Sequence, residues 1–226
     1  MKRASIYLAA LALLMCGCSS HNSSSANGQM PPPDAQIKEA KAAQVNAATH
    51  FAAGQLAESQ NRFDTALHQY NEALKLEPGH LPSLYRKGVL LTKLTRYNEA
   101  MADWQRYLAV SNNSGSGYNN LAYCYQLQNR MKDAEATYQK GIAQDPKDAG
   151  CRTNYGLMLA RRGRIQEAIR TWTPVLSEAE IHYNLAGIYQ IDGRKQEAIA
   201  EYQKSLDLDP NIPDAKERIS QLDINR

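Results

Sequence analysis

The residue types that do chemistry are sparse in this chain, and their spacing points to binding more than to catalysis. Five histidines, His21, His50, His68, His80 and His182, fall at no interval that could close on one metal ion. There is no glycine-rich phosphate loop, no Gly-x-Ser-x-Gly elbow and no His-Glu-x-x-His. Four cysteines are too few for a disulfide scaffold, and they separate into Cys16 and Cys18 near the start and Cys124 and Cys151 deep in the chain. The polar residues that do recur in step are amides: Asn120, Asn154 and Asn184 stand 34 and 30 residues apart. An amide both donates and accepts, so a row of them can pair with a peptide backbone whatever its sequence. No cofactor, no metal and no enzymatic activity is expected.

Such a row needs elements that repeat. Small residues recur at Gly54, Gly88, Ala122, Gly156 and Ala186, at spacings of 34, 34, 34 and 30. Twelve residues after each comes Ala66, Ala100, Ala134, Ala168 or Ala198, and four later an aromatic: Tyr70, Trp104, Tyr138, Trp172 or Tyr202. Prolines follow at Pro78, Pro146 and Pro210. Small residues let two helices cross closely, an aromatic one turn on fills the space to the next helix, and proline ends the second helix.

This period and these columns resemble the tetratricopeptide repeat, a helix-turn-helix unit. The resemblance implies an all-α fold, a right-handed α-solenoid of about five repeats with a C-terminal capping helix. The expected units are 47–80, 81–114, 115–148, a short fourth at 149–178, and 179–212, with the cap over 213–226. In the cap, Ala215, Ile219 and Leu222 form one apolar stripe, while Lys216, Glu217 and Arg218 are expected to face water. Residues 34–46 read as a helical extension into the first repeat. Pro174, two residues after Trp172, predicts that the second helix of the fourth repeat stops early. Lys87 stands where other repeats carry Ala53, Leu121, Tyr155 or Leu185, and His50, Arg152 and His182 replace apolar residues. Cys124 and Cys151 sit on adjacent first helices with an axial offset of ~10 Å, too far for a disulfide. Both read as small core residues.

The start of the chain is an address. Met1-Lys2-Arg3 is followed by a short apolar run over residues 6–15 and then Cys16-Gly17-Cys18-Ser19. The run is about half of what spans a bilayer, so it reads as an export signal and not a transmembrane helix. Gly17 before Cys18 resembles the bacterial lipoprotein signal, with Met15 and Cys16 departing from its usual residues. The resemblance implies cleavage after residue 17 and lipid on Cys18. Ser19 then favours the outer membrane of the cell envelope, with the protein facing the periplasm. Residues 18–33, rich in Ser and Asn and closing on three prolines, form a tether. The alternative is a soluble secreted or periplasmic carrier without lipid.

Without Lys2 and Arg3 the chain holds 24 basic against 23 acidic residues, a balance that argues against nucleic acid as partner. With 13 Tyr and 2 Trp against 2 Phe, the aromatics suit half-buried surfaces with a polar tip. In tetratricopeptide proteins the first helices line a concave groove that takes an extended peptide or a partner helix. The expected groove residues are Arg86, Asn120, Asn154 and Asn184, two before the small column, with Tyr85, Tyr123 and Tyr183 beside them. The three amides resemble the asparagine ladder of that family. The family's carboxylate clamp is not matched, and with only Arg86 and Arg161 basic in the groove a strongly acidic client is not expected. The implied role is a membrane-anchored scaffold for a protein or peptide partner in envelope assembly, serving a pilus, secretion or the outer membrane. No small-molecule substrate is implied.

Overall fold

The computed structural model describes residues 45–224. The leader, Cys18, the tether and residues 34–44 of the expected extension lie outside the described residues. Among the described residues there are eleven helices and no strand. They form five hairpins and a cap: α1 (Ala47–Ser59) with α2 (Phe63–Leu76), α3 (Leu81–Lys93) with α4 (Tyr97–Val110), α5 (Gly115–Leu127) with α6 (Met131–Gln144), α7 (Ala149–Ala160) with α8 (Ile165–Trp172), α9 (Glu178–Ile191) with α10 (Lys195–Leu208), and α11 (Ala215–Ile224). The result is an α-solenoid. No helix among the described residues is long and apolar enough to cross a membrane.

First and second helices begin by different rules. Each first helix has a side-chain N-cap that accepts a backbone N–H: Asn46, His80, Ser114, Asp148 and Ser177, the last in a capping box with Glu180. Asn46 is extended, so α1 starts at Ala47 and does not continue a helix through residues 45 and 46. Each second helix begins after an arginine, Arg62, Arg96, Arg130, Arg164 or Arg194, with no side-chain cap. Instead Arg96, Arg130, Arg164 and Arg194 pair with a carboxylate three residues on, at Glu99, Asp133, Glu167 and Glu197. That places a negative group near the positive end of the helix dipole. The residue before each arginine is left-handed: Asn61, Thr95, Asn129, Gly163 and Gly193. Only Thr95 is β-branched there, which makes it the strained member of the column.

Three second helices stop at the residue before a proline. Glu77, Asp145 and Asp209 are extended because each precedes a proline. As Pro174 predicts, α8 ends at Trp172 after only 8 residues. Repeats four and five then meet chiefly through α7 and α9.

The small column faces the aromatic column of its own repeat. A methyl added at Gly54 would lie 2.5 Å from Tyr70 Cε1, at Gly88 2.7 Å from Trp104 Cε2, and at Gly156 2.1 Å from Trp172 Nε1. The aromatic therefore fills space inside its repeat more than between repeats, as Phe51–Tyr70, Tyr85–Trp104 and Tyr183–Tyr202 ring contacts show. Tyr138 does both, stacking on Tyr155 of the next repeat with ring centroids 5.8 Å apart. The choice between Tyr and Trp is local. The hydroxyls of Tyr70, Tyr138 and Tyr202 donate to Glu58, Gln126 and Gln190, each four after the small column. The tryptophan repeats carry Thr92 and Ala160 there, and the Trp172 indole donates instead to the Thr153 carbonyl at 3.0 Å.

The departures from the apolar pattern are paired across their hairpins. Lys87 does not reach out to water: its Nζ lies 3.0 Å from Asp103 Oδ2, with both side chains mostly covered. His50 meets Gln69 at 2.8 Å, His182 meets Glu201, and Arg152 donates to the Thr171 carbonyl at 3.1 Å. A buried polar group on one helix is tolerated because the facing helix answers it. Cys124 and Cys151 are buried free thiols. Burial pushes both above the ordinary thiol range.

Candidate functional site

On each first helix, the positions three before, one after and five after the small column lie four apart and share one face. In α5 these are Asn119, Tyr123 and Leu127; in α7 Thr153, Leu157 and Arg161; in α9 Tyr183, Gly187 and Ile191. Four of the nine large apolar residues exposed among the described residues lie on this face. Tyr85, Tyr123 and Leu127 are exposed, and Ile191 is 65% exposed. Tyr183 is half-buried. Isolated exposed apolar residues need no explanation, but a recurring stripe of them marks an interaction surface.

The row of expected polar residues is not a set of free ladder rungs. Arg86 lies 2.9 Å from Glu58 Oε1 in the preceding repeat. Glu58 also accepts from the Tyr70 hydroxyl, which burial and this carboxylate push up to about 12. Asn120 donates to the Ser116 carbonyl of its own helix at 2.8 Å. Asn154 donates to Asn119 Oδ1, also at 2.8 Å, across the boundary between repeats three and four. The Asn184 side chain makes no hydrogen bond among the described residues. The difference has a local cause. Asn154 reaches the residue three before the small column of the preceding repeat, Asn119; the residue at that place before Asn184 is Thr153, and no bond joins them.

Asn184 lines a cleft of about 450 Å³ with Leu157, Arg161, Tyr183, Ile191 and Arg218. A second hollow of about 330 Å³ lies between repeats one and two, walled by Phe51, Leu81, Tyr85, Arg86 and Tyr107. Arg218 corrects the expectation that the cap's charged residues face water. It is half-buried and donates from Nε to the Tyr183 hydroxyl at 2.9 Å. Ala215 is fully buried and Ile219 and Leu222 pack on the Tyr202 cluster, so the apolar stripe of α11 lies as expected. Sequence reasoning also passed over Leu127 and Ile191. The four-residue spacing from Asn119 and Tyr183 could have found them; nothing in the sequence alone ties Arg218 to Tyr183, 35 residues away. No group of His, Cys, Asp and Glu that could hold a metal occurs among the described residues.

Family models described as tetratricopeptide repeat match residues 51–116, 85–149, 137–170 and 179–212. Among curated proteins, the chain is 31% identical over 130 residues to the TPR repeat-containing protein MJ1428 of Methanocaldococcus jannaschii, covering 56% of this chain and 23% of that protein. It is 33% identical over 86 residues to the Photosystem I assembly protein Ycf3 of Synechococcus sp. (strain WH7803), covering 37% and 50%. The chain thus spans half or less of these relatives' lengths. Among solved structures, TTC0263, a thermophilic TPR protein of Thermus thermophilus, superposes with a TM-score of 0.58 at 23% identity, covering 79% of this chain and 99% of that one. YrrB, a TPR protein with an unusual peptide-binding site, gives 0.52 at 22% identity, covering 80% and 96%. With five hairpins, their small and aromatic columns and these matches in agreement, the chain belongs to the tetratricopeptide repeat family.

Proposed function

We propose that this protein is a non-catalytic scaffold that holds an extended segment of a partner protein on the face of its first helices. The observation that carries the reading is the division of labour along those helices. Residues that recur with the period are consumed by packing, while Tyr85, Tyr123, Leu127 and Ile191 stay exposed on one shared face. The described titratable clusters are explained by pairing within and between hairpins, and both described thiols are buried with raised values, which leaves no activated nucleophile among them. The peptide-binding site of YrrB, a structure of like fold, supports the same kind of use.

The reading extends to the N-terminus. Gly17-Cys18 after a short apolar run supports lipid attachment at Cys18, with residues 18–33 as a tether and the outer membrane, facing the periplasm, as the site of residence. Anchoring by more than one acyl chain is close to permanent, each buried methylene contributing ~0.8 kcal/mol. The scaffold would then work at the membrane surface in assembly of a pilus, a secretion machine or the outer membrane. Two measurements test the two halves. Intact mass of the protein from its native envelope should show a mature chain beginning at Cys18 and carrying acyl groups; an unlipidated Cys18 would leave a soluble carrier. A tiled array of extended peptides should bind the parent and bind the doubly substituted L127S/I191S chain at least several-fold more weakly. Equal binding by both would remove the first-helix face as the site.

A further inference from the structure

The cleft between repeats four and five and the capping helix differs from the rest of the first-helix face in charge. It is lined by two arginines, Arg161 and Arg218, and by no carboxylate. Of the other basic residues on this side of the first helices, Arg86 is paired with Glu58 and Lys93 lies over the Phe63 ring. Arg161 stands at the C-terminal end of α7, its backbone N–H donating to the Leu157 carbonyl, and its side chain has no hydrogen-bond or ion-pair partner among the described residues. Arg218 is held over Tyr183, its guanidinium carbon 5.7 Å from the ring centroid and its Nε bonded to the hydroxyl. That leaves the remaining donors of its fork without a carboxylate. The same cleft is lined by the Asn184 amide, whose side chain has no hydrogen bond among the described residues, and by the apolar surface of Leu157 and Ile191.

Resting on the reading of this face as a peptide groove, we infer that the cleft selects a segment with an acidic side chain, Asp or Glu, beside an aliphatic one. The carboxylate would sit between Arg161 and Arg218, where a guanidinium fork matches its two oxygens. The aliphatic neighbour would lie on Leu157 and Ile191. Asn184 would hydrogen-bond the segment's backbone, which suits a chain passing through the cleft rather than ending in it. The sequence-based expectation against a strongly acidic client counted Arg86, which is paired with Glu58, and Arg161, and did not count Arg218, which joins Arg161 in this cleft. The arrangement differs from a groove clamp of paired lysines on successive repeats, since one cation comes from the cap.

The test is fluorescence anisotropy on the full-length chain with three labelled peptides: alternating leucine and glutamate with an amidated C-terminus, its leucine–glutamine counterpart, and the glutamine peptide with a free C-terminal carboxylate. The amidated glutamate peptide should bind about tenfold tighter than the amidated glutamine peptide, and more weakly as salt rises. R161A, an exposed site whose loss should leave melting unchanged, and R218Q should each remove most of that preference. Equal affinity for the two amidated peptides would overturn the acidic preference. If both peptides nevertheless lose affinity in I191S, the groove reading survives that result. A preference confined to the free-carboxylate peptide would also overturn the proposal, in favour of a chain terminus. Binding of none of the three would overturn it together with the groove.

Discussion

At the level of single residues, two columns carry most of the local logic. In the turn column the left-handed position is held by Asn61, Asn129, Gly163 and Gly193, residues suited to it, and by Thr95, which is not. Thr95→Asn should therefore raise stability by ~1 kcal/mol, read as a higher urea midpoint with unchanged slope. A lower midpoint would mean that the Thr95 side chain contributes something the backbone argument omits. In the small column the neighbour is an aromatic ring with no room to yield. Gly156→Ala would drive its methyl into Trp172 and should cost ~1–3 kcal/mol, whereas Ala122, already a methyl beside Tyr138, marks where the larger residue fits. These columns were legible because their function is steric and repeats with the chain. The polar departures were not. Lys87, His50 and His182 stand opposite Asp103, Gln69 and Glu201, and pairing across a hairpin leaves no fixed signature in a single helix.

At the level of elements, the helices are ended by proline, capped by short polar side chains and tied by ion pairs whose contributions depend on pH. Glu201 shows the sign. Burial alone would raise its carboxyl, but hydrogen bonds from Lys204 and His182 outweigh it and hold the group below the usual carboxylate range. A carboxyl depressed in the folded state adds stability above its unfolded value near ~4.3, and that stability is lost as pH falls through the folded value. Glu201→Gln should thus flatten the acid limb of stability below about pH 4.5. An acid limb identical to the parent's would remove this pair from the pH dependence. The early stop of α8 was readable in advance, because proline acts within one turn of its own position. The starting points of first helices were not all readable: Asn46 ends the reach of any preceding helix, although an Ala- and Lys-rich stretch lies before it.

At the level of the whole molecule, a solenoid holds together through its nearest neighbours, so damage should stay close to where it is made. Tyr138 is fully buried and stacks on Tyr155, while Glu135 joins the same two repeats through Arg164 and the Tyr155 hydroxyl. Tyr138→Ala should cost ~3–5 kcal/mol, and hydrogen exchange should rise first in α5 to α8 and least in α11. Uniform loss of protection would mean that the array unfolds as one block. The groove was only partly legible for a related reason: its polar members are set by what the adjacent helix offers, and its basic end is completed by a helix outside the repeats. The most direct measurement of the central claim is site-specific photocrosslinking of the full-length chain in its native cells. A photoreactive residue at Tyr123, Leu127 or Ile191 should yield a discrete adduct with a partner protein, and one at Lys140 or Gln203 on the second helices should not. Adducts confined to the second-helix positions, or equal from both, would contradict a first-helix docking face.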